Sequence, residues 1–347
     1  MKKLIGFIVV AGIVVAAVLA WLILGSNTSF TENKKYLFVY TGKANEQEVM
    51  GYIKENKLLD NPGLFSMVAS RMGVWKRLKP GRFEIKRGES ILTIARMLRN
   101  NQQSPVSLVI NKLRTNDDLV NVLVKNFEAD SSTVLDFINS SDSLDRLGVN
   151  SYTLTSLIVP NTYTIFWNTS TGKILRKLKT ESDKFWEEND RKNKAHELGF
   201  TPLQVVTIAS IVEEETNKND EKGNVASVYI NRYRKGMPLG ADPTIKFAMH
   251  DFALKRIYLK YLDVESPYNT YKQKGLPPGP ICTPSAKTID AVLNSPKTEY
   301  FYFVAKSDFS GYHTFSNTYA EHLQHAKEFS KAQDEQAAIR AGRKIKN

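Results

Sequence analysis

Three adjacent carboxylates, Glu213, Glu214 and Glu215, close a segment that opens Thr201-Pro202-Leu203-Gln204 and runs through Val205, Val206, Ile208, Ala209, Ile211 and Val212. Thr201 as N-cap and Pro202 in the first turn predict a helix start. Apolar residues on most sides predict that the helix is buried. A charge at the end of such a helix is costly unless it is paired or neutralised. Desolvation beside like charges would raise the pKa of such an acid towards neutrality. That is the state from which a carboxylic acid can protonate the leaving oxygen of a glycosidic bond. At about 100° per residue, Glu213 falls on the face of Val206, Ala209 and Ser210, where small side chains could leave room for a ligand. Glu215 falls near Ile208 and Ile211, so helical geometry does not choose between them. The plainer alternative is a solvated run of glutamates at a helix end.

Further blocks follow in order. They are Val225-Ala226-Ser227-Val228-Tyr229-Ile230-Asn231-Arg232-Tyr233, then Met237-Pro238-Leu239-Gly240-Ala241-Asp242-Pro243-Thr244, then Ser266-Pro267-Tyr268-Asn269-Thr270-Tyr271 with Gly275-Leu276-Pro277-Pro278-Gly279-Pro280-Ile281, and Gly311-Tyr312-His313-Thr314-Phe315-Ser316. Together with Ala209 to Thr216 they resemble the catalytic half of the MltG/YceG-like lytic transglycosylases. The resemblance implies an endolytic enzyme that cleaves MurNAc–GlcNAc β-1,4 bonds in nascent glycan strands and leaves 1,6-anhydro-MurNAc ends. It implies Glu213 as the catalytic acid, with Glu215 in reserve, and penicillin-binding peptidoglycan synthases as partners. An intramolecular nucleophile, the MurNAc 6-hydroxyl, explains how one carboxylic acid suffices. Upstream the chain departs from the family: the expected Glu-Gly is missing before Pro160-Asn161-Thr162-Tyr163 and near Asn111-Lys112-Leu113.

The candidate substrate-binding residues are Asp242, Thr244, Tyr268, Asn269, Thr270 and His313, polar and aromatic positions in turn-prone clusters suited to edging a sugar groove. Each also has an ordinary structural reading as loop packing. Gly275 to Pro280 reads as a rigid wall. Cys282, the single cysteine, reads as a packed thiol. His322-Leu323-Gln324-His325 lacks metal-ligand spacing. Neither metal nor cofactor is expected.

These residues need elements to hold them. Leu37 to Tyr40 reads as a buried strand, Glu46 to Leu59 as a helix, and Asn61-Pro62 as a break that restarts one. Phe83 and Ile85 read as a strand ending at Gly88, with Ser90 capping a helix through Ile91, Ile94, Ala95 and Leu98. That strand–turn–helix resembles half of a LysM peptidoglycan-binding module. A strand is expected at Val106 to Ile110, helices at Asp117 to Phe127, Thr133 to Ile138 and Ile174 to Asn189, and a solvated helical tail from about Lys331. The expected organisation is α+β: a cytoplasmic stub (1–3), a transmembrane anchor (4–24), a linker (25–35), a small LysM-like α/β subdomain (36–105), a mixed α+β transglycosylase domain (106–330, catalytic core about 200–325) and a basic tail (331–347).

Leu4 to Leu24 carries no charge and has the length a helix needs to cross a bilayer. Lys2 and Lys3 before it favour a cytoplasmic N-terminus, which places the rest of the chain outside the inner membrane. A cleaved signal peptide, with Ala16, Ala17 and Ala20 near the cleavage site, is the competing reading. The net charge of +12 suits polyanions. No zinc-finger, helix-turn-helix or RNP-like motif accompanies it, so nucleic acid is not expected as a partner. Peptidoglycan strands and the membrane are. The competing functions are a peptidoglycan hydrolase, with Asp242 as second carboxylate, and a non-catalytic wall-binding scaffold.

Overall fold

The computed structural model describes residues 2–254 and 256–345. Met1, in the expected stub, and Lys346 and Asn347, at the end of the expected tail, lie outside them. The chain is mixed helix and strand, and it divides into two compact units that alternate along the sequence.

The first unit comprises residues 1–108, 123–130 and 163–170. It opens with α1 (Lys2–Leu24), a 23-residue helix. From Leu4 to Leu24 it is uncharged, and its large apolar side chains are exposed. By length and composition this helix can cross a membrane. The polar stretch from Ser26, expected as a linker, is instead tied down. The Asn27 side chain accepts the Asn61 N–H at 3.1 Å, the Thr28 hydroxyl accepts the Gly88 N–H at 2.8 Å, and Thr28 bridges to Leu59.

β1 (Lys34–Val39) follows, then α2 (Glu46–Glu55), α3 (Pro62–Arg71), β2 (Gly81–Lys86) and α4 (Ile91–Arg99). β1 and β2 pair antiparallel with Leu37 opposite Phe83. Alternation along both strands turns Leu37, Val39, Phe83 and Ile85 inward. They meet Ile53, Phe65, Ile94 and Leu98 from the helices in one core. Ser90 caps α4 as expected, its hydroxyl accepting the Thr93 N–H at 3.2 Å.

The second unit comprises residues 109–122, 131–162 and 171–347. Along the remaining chain come β3 (Val106–Ile110), α5 (Asn116–Asn126), α6 (Ser131–Asn139), α7 (Ser141–Asp145), β4 (Asn161–Ile165), α8 (Thr171–Glu187), α9 (Arg191–Leu198), α10 (Pro202–Glu215), α11 (Lys222–Arg234), α12 (Asp242–Ala248), α13 (Ala286–Leu293), β5 (Tyr302–Ala305), β6 (His313–Ser316) and α14 (Tyr319–Ile345). β3 pairs with β4. β5 and β6 form an antiparallel hairpin with Phe303 opposite Phe315.

The centre of the second unit is α10. Thr201 and Gln204 close a capping box at its N-terminus. Val205, Ile208, Ala209, Ile211 and Val212 are sealed against Val225 and Ala226 of α11 and Ile289 and Val292 of α13. Each sealed Val or Ile contributes roughly 1.5–3 kcal/mol through burial, and this core sets where the helix ends. The expected tail helix proves to be the far part of α14, whose first turn starts at Tyr319.

Candidate active site

The last three residues of α10 step about 100° each around the helix, and each carboxylate meets a different environment. Glu213 turns between α11 and α13. One of its oxygens accepts from Lys222 Nζ at 3.0 Å, from Ser285 Oγ at 3.2 Å and from the Thr288 hydroxyl. Lys222 is itself buried, its side chain 6% exposed, and also donates to Thr288 Oγ1 at 2.7 Å. Burial pushes the Glu213 carboxyl up, but the Thr288 and Lys222 hydrogen bonds outweigh it and hold the pKa below the ordinary carboxylate value. This corrects the expectation that Glu213 would be raised towards neutrality. The small residues on its face leave no opening either, because Ser210 accepts the Ile281 N–H at 3.0 Å and that face is packed.

Glu214 faces two cations, Lys112 Nζ at 3.0 Å and Arg114 Nη2 at 3.1 Å. Burial raises its pKa, and the hydrogen bonds from Arg114 and Lys112 bring it below the ordinary value.

Glu215 is the exception. Burial pushes it up to about 7, a hydrogen bond from Tyr229 opposes the rise, and the charge of Asp242 adds to it. Its Oε1 accepts from the Tyr229 hydroxyl at 2.5 Å. Glu215 lines an open cleft of about 560 Å³ whose walls include neither Glu213 nor Glu214.

The cleft walls come from elements that the core of the second unit holds in place. Tyr229 and Arg232 come from α11, Asp242 from the start of α12, Tyr271 from the loop beyond, Tyr302 and Phe303 from β5, and Tyr319 and His322 from α14. Asp242 accepts the Tyr271 hydroxyl at 2.5 Å. Arg232 braces the wall: its Nε donates to the Phe301 carbonyl and its Nη1 to the Leu239 carbonyl, both at 2.7 Å. The guanidinium also lies 5.0 Å from the Tyr302 ring centroid. Gly240, at φ +61°, takes the left-handed backbone that favours glycine, and a Cβ there would press on Arg232 Nη1 at 3.0 Å. His322 stacks on Tyr302, and burial together with the Arg232 charge depresses its pKa.

Of the residues expected at the sugar groove, Asp242 lines this cleft. Asp242-Pro243-Thr244 is the first turn of α12, with Pro243 in the first turn, and not the loop expected. Thr244, Asn269 and Thr270 are fully buried. Thr244 Oγ1 bonds the Ala241 carbonyl at 2.7 Å and Thr270 Oγ1 at 2.8 Å. The Asn269 amide donates to the Leu262 and Val264 carbonyls, both at 2.8 Å. These three side chains hold the walls and do not reach the opening. Tyr268 packs on Phe247, ring centroids 4.5 Å apart, in a separate cleft. His313 stands outside both, its Nδ1 2.8 Å from Glu221 Oε1 and its ring edge-on to Phe303. Cys282 is sealed in the core, its thiol 3.5 Å from the Ser210 carbonyl and its pKa pushed up by burial.

Sequence reasoning assigns no role to Tyr229, Arg232, Tyr271, Tyr302 or His322. A signal existed for the first two: Tyr229 and Arg232 are three apart in one motif block, so they share a helix face.

The chain resembles three curated relatives, each named endolytic murein transglycosylase. It is 34% identical to the Bacillus subtilis protein over 168 residues, covering 48% of this chain and 45% of that one. It is 31% identical to a protein of Streptococcus pneumoniae strain D39 over 177 residues, covering 50% of this chain and 31% of that one. The chain therefore spans less than half the length of the curated relatives it matches. A crystal structure of a yceG-like protein from Listeria monocytogenes shares the fold, with a TM-score of 0.55 at 24% identity over 85% of this chain and 99% of that one. The YceG-like family model matches residues 39–328, most of both units, and the chain belongs to that family.

Proposed function

We propose that the chain is a peptidoglycan lytic transglycosylase that cleaves the MurNAc–GlcNAc β-1,4 bond within glycan strands, with Glu215 rather than Glu213 as its acid. The observation that carries this reading is a half-buried carboxyl at the edge of an open cleft, hydrogen-bonded by Tyr229 and pushed up to about 7 by desolvation. Protonated Glu215 gives its proton to the glycosidic oxygen as the bond to MurNAc C1 breaks. The carboxylate so formed takes the proton of the MurNAc 6-hydroxyl as O6 bonds to C1. Glu215 is restored, no water is consumed and a 1,6-anhydro end results. Glu213, ion-paired to Lys222 and off the cleft, orders the helix end.

Asp242 offers a second carboxylate, and a hydrolase built on Glu215 and Asp242 is the alternative. Mass spectrometry of the products separates the two. Anhydro ends from the wild type and none from Glu215→Gln support the proposal, whereas reducing ends identify a hydrolase. An active Glu215→Gln overturns the assignment of the acid.

The further readings rest on the family. Residues 36–105 form a LysM-like glycan-binding subdomain and 106–330 the transglycosylase domain. Because Phe83, Ile85, Ile91, Ile94 and Leu98 are core residues, sugar contact in the first unit falls to other side chains. A groove of about 620 Å³ that includes Phe38, Tyr40, Gln47 and Tyr52 supplies candidates. With the anchor in the inner membrane and its N-terminus cytoplasmic, the enzyme works on nascent strands beside penicillin-binding synthases.

A further inference from the structure

The second unit carries another cleft, of about 290 Å³, walled by Arg114, Asn116, Tyr152, Phe247, His250 and Tyr268. Its character is that of a carbohydrate site: flat aromatic faces beside hydrogen-bonding groups. Tyr268 packs against Phe247 at 4.5 Å and Tyr152 at 6.3 Å between ring centroids. Tyr152 leaves half its surface, 50%, to solvent. Its backbone is held by Gly279, where any Cβ would collide with the Tyr152 carbonyl.

The position of this cleft follows from α12. Asp242, at one end of the helix, lines the cleft of Glu215. Pro243 and Lys246 line a small cleft of about 40 Å³ with Arg114 and Glu214. Phe247, near the other end, lines the aromatic cleft. Arg114 belongs to both of the last two. Five residues of helix advance about 7.5 Å along its axis. At about 100° per residue, Asp242, Pro243 with Lys246, and Phe247 occupy successive flanks of the helix.

We propose that the Tyr152–Tyr268 cleft is a distal sugar subsite, holding a pyranose unit of the strand further along from the bond cleaved at Glu215. The proposal rests on the transglycosylase reading and deepens it, since contact away from the cleaved bond makes the enzyme favour strand interiors over short fragments. The test uses the full chain in detergent with Glu215→Gln to block turnover. Calorimetry then compares binding of long, peptide-free, uncrosslinked glycan strands with binding of a tetrasaccharide. Adding Tyr152→Ala should lower the ratio of long-strand to tetrasaccharide affinity on the order of tenfold, as for loss of one aromatic stack. Tyr152→Phe, which keeps the ring, should restore the ratio. An unchanged ratio in Tyr152→Ala overturns the subsite, as does a loss seen only with peptide-bearing strands, which would mark a stem-peptide site. Failure of the transglycosylase reading is a separate result: the wild type would cleave no glycan of either length.

Discussion

At the scale of single residues, Glu215 and Tyr229 act as one device. The phenol donates to Oε1, so in the proposed reaction Oε2 is the oxygen that carries the transferable proton. A general acid must be protonated, so kcat/KM should fall as pH rises through about 7, the value to which burial lifts Glu215. Tyr229→Phe removes a bond that favours the ionised form, so the alkaline limb should move to higher pH while the maximum rate drops about tenfold through lost orientation. A limb that stayed put, or moved down, would argue that Tyr229 does not touch the acid's proton.

The same pKa makes a statement about stability. The folded value lies above the unfolded value of 4.5, so the fold favours the neutral carboxyl. Its contribution is fully present below about 4.5 and is lost as pH rises through about 7. Urea unfolding should therefore show Glu215→Gln gaining on the wild type between pH 5 and pH 8. A gap that did not change with pH would refute the shift.

At the scale of elements, α10 was the most legible part of the chain. Thr201, Pro202 and Gln204 mark its start, and its all-round apolar surface marks its burial, because capping and hydrophobicity are local properties. Which glutamate faces the cleft was not legible. That depends on Lys222 from the next helix and on Thr288, Lys112 and Arg114 from distant segments, which together neutralise two of the three. The motif blocks likewise hid that Thr244, Asn269 and Thr270 bond inward to backbone. Nor does composition signal that residues 123–130 and 163–170 return to the first unit, since such returns are set by packing.

The reading of Glu213 as a helix tie has its own consequence. Glu213→Ala strands the buried ammonium of Lys222, and removing one partner of a buried pair costs about 3 kcal/mol. Denaturant midpoints should fall accordingly, while the variant that remains folded still makes anhydro products. A Glu213→Ala protein of wild-type stability and no activity would return the acid to that position.

At the scale of the whole molecule, α1 contrasts with the sealed α10. Its apolar side chains are exposed where those of α10 are sealed, an arrangement that water penalises and lipid does not. Burying a 23-residue helix of this composition in hydrocarbon holds a protein in a bilayer without help from its folded units. The segment after it is bound to the first unit through Asn27 and Thr28, so the helix joins the unit with little slack. Cells expressing the chain should therefore retain it in the membrane fraction through high-salt and carbonate washes, which would strip a protein held only by its net charge of +12. Removing residues 1–24 should release it to the soluble fraction with its cleavage of purified strands intact, because α1 contributes nothing to the core around α10. Release of the intact chain by salt alone would show that charge, and not α1, does the holding.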